Sequence, residues 1–187
     1  KSHMSNTTPY LIYDVFTDTP FGGNPLAIFT RGDDIAPRQM QAIAREMNLS
    51  ETVFLLSPTS DIATAHLRIF MPNGELPFAG HPTIGSITAL AGLGLTPDDC
   101  SDFRLTCKTG EIICSFDNAN SIAKAIAPLL PYPNGTAPAL EEIAIATGLT
   151  VQNFVHPSVN DLWSSGPNFA FAEVKTSEIL HSVEINS

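Results

Sequence analysis

The sequence predicts a mixed α+β fold in which a strongly curved sheet wraps around one central helix. The first observation is a helical segment at residues 82–91 that carries no charge and whose apolar residues point in several directions. A helix without a polar face needs cover on all sides. The second is that strand patterns flank this segment on both sides, and a sheet that curls around the helix is the economical way to bury it. The third is composition, since 43% of the 187 residues are hydrophobic and only 15% are charged, which excludes disorder of the whole chain.

The part of the chain before the central helix contains strand patterns and one amphipathic helix. Strands are predicted at residues 10–16, 26–29, 53–56 and 66–71. Pro37 opens a helix, because its missing N–H is not needed in the first turn. Apolar residues then recur at spacings of three and four up to Met47, and Asn48 ends the helix.

The part after the central helix predicts a hairpin, a linker and an incomplete second unit. Residues 104–116 form the hairpin, with its turn near Thr109 and Gly110. Four prolines between residues 128 and 138 indicate a linker, so the predicted domains are residues 8–127, the linker at 128–138 and a partial second half at 139–187. Within that second half, helices are predicted at residues 139–147 and 177–183 and a strand at residues 168–174.

The charge balance excludes two classes of partner. Nine Lys and Arg against 19 Asp and Glu leave a net charge of −10, which repels nucleic-acid phosphates and anionic lipid headgroups. The uncharged stretch at residues 76–97 is broken by prolines and glycines, and its helical piece is too short to cross a bilayer. We therefore expect neither a nucleic-acid nor a membrane partner.

The cysteines and histidines predict a reduced, metal-free protein. Cys100, Cys107 and Cys114 form no Cys-x-x-Cys pair, and no secretion signal precedes them, which is typical of buried thiols in the cytoplasm. The histidines share no ligand spacing with one another or with cysteine. We expect no metal.

The first candidate site is the tetrapeptide Gly80-His81-Pro82-Thr83 at the start of the central helix. Free N–H groups of a first helical turn and the positive end of the helix dipole favour a bound carboxylate. His81 would then donate a proton or bind a substrate oxygen, and the helix terminus favours its neutral form. The alternative is a histidine that only satisfies a backbone carbonyl.

Two glutamates are further candidates. Glu51 precedes an apolar strand, where a carboxylate loses solvation and suits general acid–base chemistry. The alternative is a capping or solvated residue. Glu75 is either a second acid or a turn residue, and its position before Leu76-Pro77 favours the turn.

Three ordered motifs resemble the PhzF-like isomerase family of phenazine biosynthesis. They are Gly23-Asn24-Pro25-Leu26-Ala27, then Met47-Asn48-Leu49-Ser50-Glu51-Thr52, then Arg68-Ile69-Phe70 leading into the segment from Glu75 to Gly85. The similarity extends from about Tyr10 to His181 and is strongest up to Gly94.

The resemblance implies a diaminopimelate-epimerase-like fold, with two similar halves and an active site in the cleft between them. It also implies a cofactor-free isomerase that moves a proton between carbons of a small carboxylic acid and pairs as a homodimer. The family's catalytic glutamate falls on Glu51 and its site histidine on His81. Substrate binding falls on Asn24 and on the helix start at Gly80, Pro82 and Thr83.

The sequence departs from the family pattern in its second half. Family members carry a Gly-Glu-Asp-x-Ala-Thr-Gly-Ser-like segment there, and this chain has none. The sequence thus predicts an incomplete second half that a complementing chain would complete. The alternative function is a catalytically incompetent or split relative that binds a small acid or another protein.

Overall fold

The computed structural model describes residues 7–97, 102–155 and 161–185. The chain divides into two units, Lys1–Leu129 and Leu130–Ser187. In the first unit the helices are α1 (Pro37–Met47) and α2 (Gly80–Gly92). Its strands are β1 (Tyr10–Val15), β2 (Asn24–Phe29), β3 (Glu51–Leu56), β4 (Ala65–Met71), β5 (Gly74–Leu76), β6 (Phe103–Cys107), β7 (Gly110–Asp117) and β8 (Ile122–Ile126).

The strands of the first unit form one mixed sheet in the order β1-β2-β3-β4-β6-β7-β8, with β5 paired to β4. The β2–β3 and β4–β6 pairs are parallel, and the other pairs are antiparallel. The two edge strands, β1 and β8, both contact α2. The sheet therefore curls around this helix, and the predicted α+β fold is confirmed.

Helix α2 is the buried centre of the first unit. Ile87, Ala89 and Leu90 are at most 2% exposed, as expected for a helix without a polar face. Its buried hydroxyl groups find partners inside the helix, since Ser86 Oγ donates to the Pro82 carbonyl oxygen at 2.7 Å. At Gly85 an added Cβ would lie 2.5 Å from Leu26 Cδ2, so any larger residue would force the Leu26 side chain to shift.

The two faces of the sheet pack against different helices. Val53 and Leu55 lie in the core cluster that contains α2, whereas Phe54 lies in a second cluster with Met40 and Ala44 of α1. Side chains alternate between the faces of a strand. Glu51 has the same parity as Val53 and therefore lies on the α2 face.

The described boundaries of the predicted elements in this unit lie within two residues of the predicted ones, and the sequence missed β5 and β8. Strand β3 begins at Glu51, and α2 begins at Gly80, each two residues earlier than predicted. Both candidate side chains, Glu51 and His81, therefore lie within regular elements. Helix α1 begins at Pro37 and ends at Asn48, which adopts the left-handed conformation of a C-cap.

The hairpin and its thiols also follow the prediction. Cys107 pairs with Gly110 across β6 and β7, which leaves a two-residue turn at Lys108 and Thr109. Cys107 and Cys114 are buried and free of disulfides, and burial raises the pKa of the Cys114 thiol to about 12. Cys100 lies outside the described residues.

The second unit contains a three-stranded antiparallel sheet in the order β11-β10-β9. Its elements are β9 (Tyr132–Thr136), α3 (Leu140–Ala146), β10 (Asp161–Ser164), β11 (Asn168–Ala170) and α4 (Ser177–His181). Strand β9 lies within residues 128–138, for which the sequence predicted a linker, and the boundary between the two units falls in the same segment. This strand is at a sheet edge, where proline is tolerated, and its pairing with β10 is irregular. The strand expected at residues 168–174 is shorter and ends at Ala170.

No helix in the described ranges is long and apolar enough to cross a membrane.

Candidate active site

The pairing of β2 with β3 brings the first candidate side chains to one end of the sheet. The two strands are parallel, and Leu26 lies opposite Glu51. Asn24 is two residues before Leu26 on the same strand. The side chains of Asn24 and Glu51 therefore lie on the same face of the sheet as Leu26, which is the face that packs against α2. Helix α2 begins at this same end, since His81 in its first turn reaches both Asn24 and Glu51.

The His81 side chain contacts those of Glu51 and Asn24, and Ser50 extends this cluster through Asn24. The Nδ1 atom of His81 lies 3.3 Å from Glu51 Oε2 and 3.3 Å from Asn24 Nδ2. Ser50 Oγ in turn donates a hydrogen bond of 3.1 Å to Asn24 Oδ1. The side chains of His81 and Glu51 are only 9% and 16% exposed, so the pair is shielded from solvent.

Two atoms of this cluster lack hydrogen-bond partners among the residues that the structure describes. They are Glu51 Oε2 and His81 Nε2, both fully buried. Oε2 is near His81 Nδ1 but not in hydrogen-bond geometry. A buried polar atom without a partner costs about 1–3 kcal/mol, and such atoms concentrate at sites that act on a ligand. The arrangement offers a carboxylate that can take up a proton beside an imidazole that can donate or accept one.

Burial sets the protonation state of the histidine. It lowers the pKa of the His81 imidazole below the ordinary value of 6.5, although the negative charge of Glu51 and the Pro25 carbonyl act in the opposite direction. The positive end of α2 also disfavours an imidazolium. His81 is therefore neutral at pH 7.

Comparison with known proteins identifies the family. The model of the phenazine biosynthesis-like (PhzC-PhzF) proteins matches residues 13–187. The chain belongs to this family. A trans-2,3-dihydro-3-hydroxyanthranilate isomerase from Pseudomonas fluorescens is 35% identical over 175 residues, which are 93% of this chain and 60% of that protein.

Solved structures of other proteins share the fold. A predicted epimerase from Pseudomonas aeruginosa superposes with a TM-score of 0.81 at 27% identity, over 97% of this chain and 64% of its own. A PhzF family protein from Bacillus anthracis gives 0.76 at 28% identity, over 95% and 59%. The fold is thus diaminopimelate-epimerase-like, as the resemblance implied. The chain spans about three-fifths of the length of these relatives. The prediction of an incomplete second half is not borne out by these comparisons.

The helix-start residues of this phenazine biosynthesis-like protein differ in what they can offer a ligand. Gly80 is exposed, and an added Cβ there would meet no atom within 4 Å, so the backbone is open to approach. Pro82 and Thr83 are buried, and Thr83 Oγ1 donates to the Ala79 carbonyl oxygen at 2.8 Å. The hydroxyl of Thr83 is engaged within the helix, which leaves only its backbone for the predicted role.

Glu75 belongs to a structural ion pair. It lies on β5, and both its oxygens accept hydrogen bonds from Arg68, at 2.7 and 2.9 Å. This guanidinium lowers the pKa of the Glu75 carboxyl. The expectation of a turn residue is wrong, because β5 pairs with β4 and places Glu75 beside Arg68.

Ser50 is the one member of the cluster that sequence reasoning missed. It directly precedes Glu51, and its hydroxyl holds Asn24, which lies 26 residues earlier. The only signal in the sequence was its place in the Ser50-Glu51-Thr52 motif, where it was not distinguished from an ordinary residue before a strand.

The lowered histidine pKa values predict weaker folding in mild acid. In the unfolded chain these side chains take up a proton near pH 6.5, whereas burial hinders protonation of His66 and His81 in the folded protein, helped at His66 by the positive charge of Arg68. At a pH between the folded-state and unfolded-state pKa of these histidines, the unfolded state binds more protons. The free energy of unfolding therefore falls as the pH decreases. Urea unfolding at about pH 7.5 and about pH 5.5 measures this loss. It should be smaller in His81→Gln than in wild type, and an equal loss would contradict the assignment to His81.

Proposed function

We propose that this protein is an isomerase that moves a proton between carbon atoms of a small unsaturated or cyclic carboxylic acid. The observation that carries the proposal is the shielded contact of Glu51 with His81, each with a buried atom that lacks a partner among the described residues. The similarity to a trans-2,3-dihydro-3-hydroxyanthranilate isomerase supports a substrate of this class.

Glu51 is the base of the proposed reaction. Its carboxylate removes a proton from a carbon that neighbouring unsaturation makes acidic, and the C–H electron pair shifts into the unsaturated system. The carboxyl group then returns the proton to a different carbon, so the double bond moves and no atom is gained or lost. A carboxylate held out of water can serve in turn as base and acid.

The start of α2 orients the substrate. Free N–H groups of the first turn, together with the open backbone at Gly80, would bind the substrate carboxylate. Neutral His81 would bind an oxygen or amine substituent, and Asn24 is expected close to it. General acid–base chemistry contributes roughly 10²- to 10⁴-fold to the rate, so correct positioning supplies much of the remainder.

Solvent deuterium tests the proposed proton transfer. The chain is mixed with trans-2,3-dihydro-3-hydroxyanthranilate in D₂O, and the product is followed by proton NMR. We expect isomerisation, with deuterium at the newly protonated carbon in those turnovers in which the Glu51 carboxyl exchanges its proton with D₂O before it returns it. Substrate that stays unchanged in the presence of the folded protein would contradict the proposal and favour the alternative, a protein that binds a small acid or another protein without turnover.

The homodimer implied by the resemblance and the cytoplasmic location predicted from the cysteines stay predictions.

A further inference from the structure

A chain of hydrogen bonds leads from Ser50 through Asn24 to His81. Ser50 Oγ donates to Asn24 Oδ1 at 3.1 Å, and Asn24 Nδ2 lies 3.3 Å from His81 Nδ1. The three residues come from the loop before β3, the start of β2 and the first turn of α2. These hydrogen bonds therefore connect the three elements that form the site.

The direction of these hydrogen bonds determines what the ring nitrogen does. An asparagine amide carries its acceptor on Oδ1 and its donors on Nδ2. When Ser50 occupies Oδ1, the end that faces His81 is the donor. Nδ1 must then accept, so it carries no proton, and the single proton of the neutral ring is on Nε2.

Glu51 and Pro25 act against this arrangement. Glu51 Oε2 is equally close to Nδ1, and both the carboxylate and the Pro25 carbonyl favour a proton on the ring. Of the two side chains, only Asn24 is in hydrogen-bond geometry with Nδ1, because Glu51 Oε2 has no such partner in the described part of the chain. The Pro25 carbonyl is an acceptor and requires only that one ring nitrogen carries a proton. The orientation of Asn24 decides between the two tautomers.

We propose that Ser50 and Asn24 are positioning residues that hold Nδ1 of His81 as an acceptor and place the ring proton on Nε2. This inference rests on the proposed function, and it assigns a role to each ring nitrogen of His81. Nε2, buried and without a partner among the described residues, donates to a substituent of the substrate. Nδ1 keeps its lone pair on the Asn24 amide, so the ring proton stays on Nε2 while Glu51 takes up and returns its proton.

Nitrogen NMR of the chain labelled with ¹⁵N-histidine tests the tautomer without any turnover. The His81 signals are those that disappear in His81→Gln. We expect wild type to show Nε2 protonated and Nδ1 bare at neutral pH. Asn24→Asp replaces the donor facing the ring with an acceptor, so its Nδ1 should become protonated. Ser50→Thr, which keeps the hydroxyl, should retain the wild-type signals, and Ser50→Ala should show a mixture.

The matched control is Asn73→Asp, which makes the same change at an exposed turn between β4 and β5. It should leave the His81 signals unchanged. A protonated Nδ1 in wild type, or an unchanged tautomer in Asn24→Asp, would overturn the proposal.

Steady-state kinetics show whether Asn24 positions His81 or binds the substrate. Asn24→Asp should lower kcat by about 10- to 100-fold with KM nearly unchanged, since a misdirected group mainly affects the reacting complex. A raised KM with unchanged kcat would overturn the positioning role and assign Asn24 to substrate binding. The NMR result stands whether or not the chain isomerises the test substrate, so failure of the proposed function is distinguishable from failure of this inference.

Discussion

Replacing Glu51 with glutamine is expected to lower the rate of isomerisation by about 10²- to 10⁴-fold, the range that a general base contributes. Glutamine has nearly the same shape, and its amide can still lie beside His81, but it cannot take up and return a proton. The Glu51 side chain is 16% exposed and lies on the α2 face. Because glutamine fills nearly the same volume there, the substitution should alter little of the surrounding core. The deuterium assay described above measures the loss.

The control for this variant is Glu46→Gln on the exposed side of α1. It removes the same charge from the same unit and should leave the rate unchanged. Circular dichroism and urea unfolding verify that both variants fold like wild type. Turnover at the wild-type rate in Glu51→Gln would remove Glu51 from the mechanism.

Replacing Phe54 with alanine is expected to lower the free energy of unfolding by about 3–5 kcal/mol. Phe54 is fully buried on the α1 face of β3. Its ring stacks on Phe29 at a centroid distance of 5.0 Å and meets Phe70 edge-on at 5.5 Å. Alanine would leave a cavity and remove both ring contacts. Urea unfolding monitored by circular dichroism gives the change.

Phe21→Ala is the matched control, because this ring is 96% exposed on the loop between β1 and β2. It should change the free energy of unfolding by no more than about 0.5 kcal/mol. A loss below about 1 kcal/mol in Phe54→Ala would show that this face of the sheet contributes little to stability.

Much of the first unit could be predicted because its local patterns have only one economical solution. The charge-free segment at α2 can be stable only under complete cover, and the neighbouring strand patterns supply it. Pro37 and Asn48 delimit α1 through the geometry of their own backbones. Strand β9 was not predictable in the same way, since its proline and glycine are typical of a linker and only the pairing with β10 makes the segment a strand.

The candidate site was likewise predictable only in part. By itself the sequence determined that an apolar strand follows Glu51 and that a buried helix begins beside His81, because burial and helix termini depend on residues close together in the chain. Only the tertiary structure decided that β2 lies parallel to β3, and this pairing brings Asn24 and Ser50 to the imidazole. Strand pairing and side-chain hydrogen bonds join residues far apart in the chain, and their energies depend on geometry that no local pattern contains.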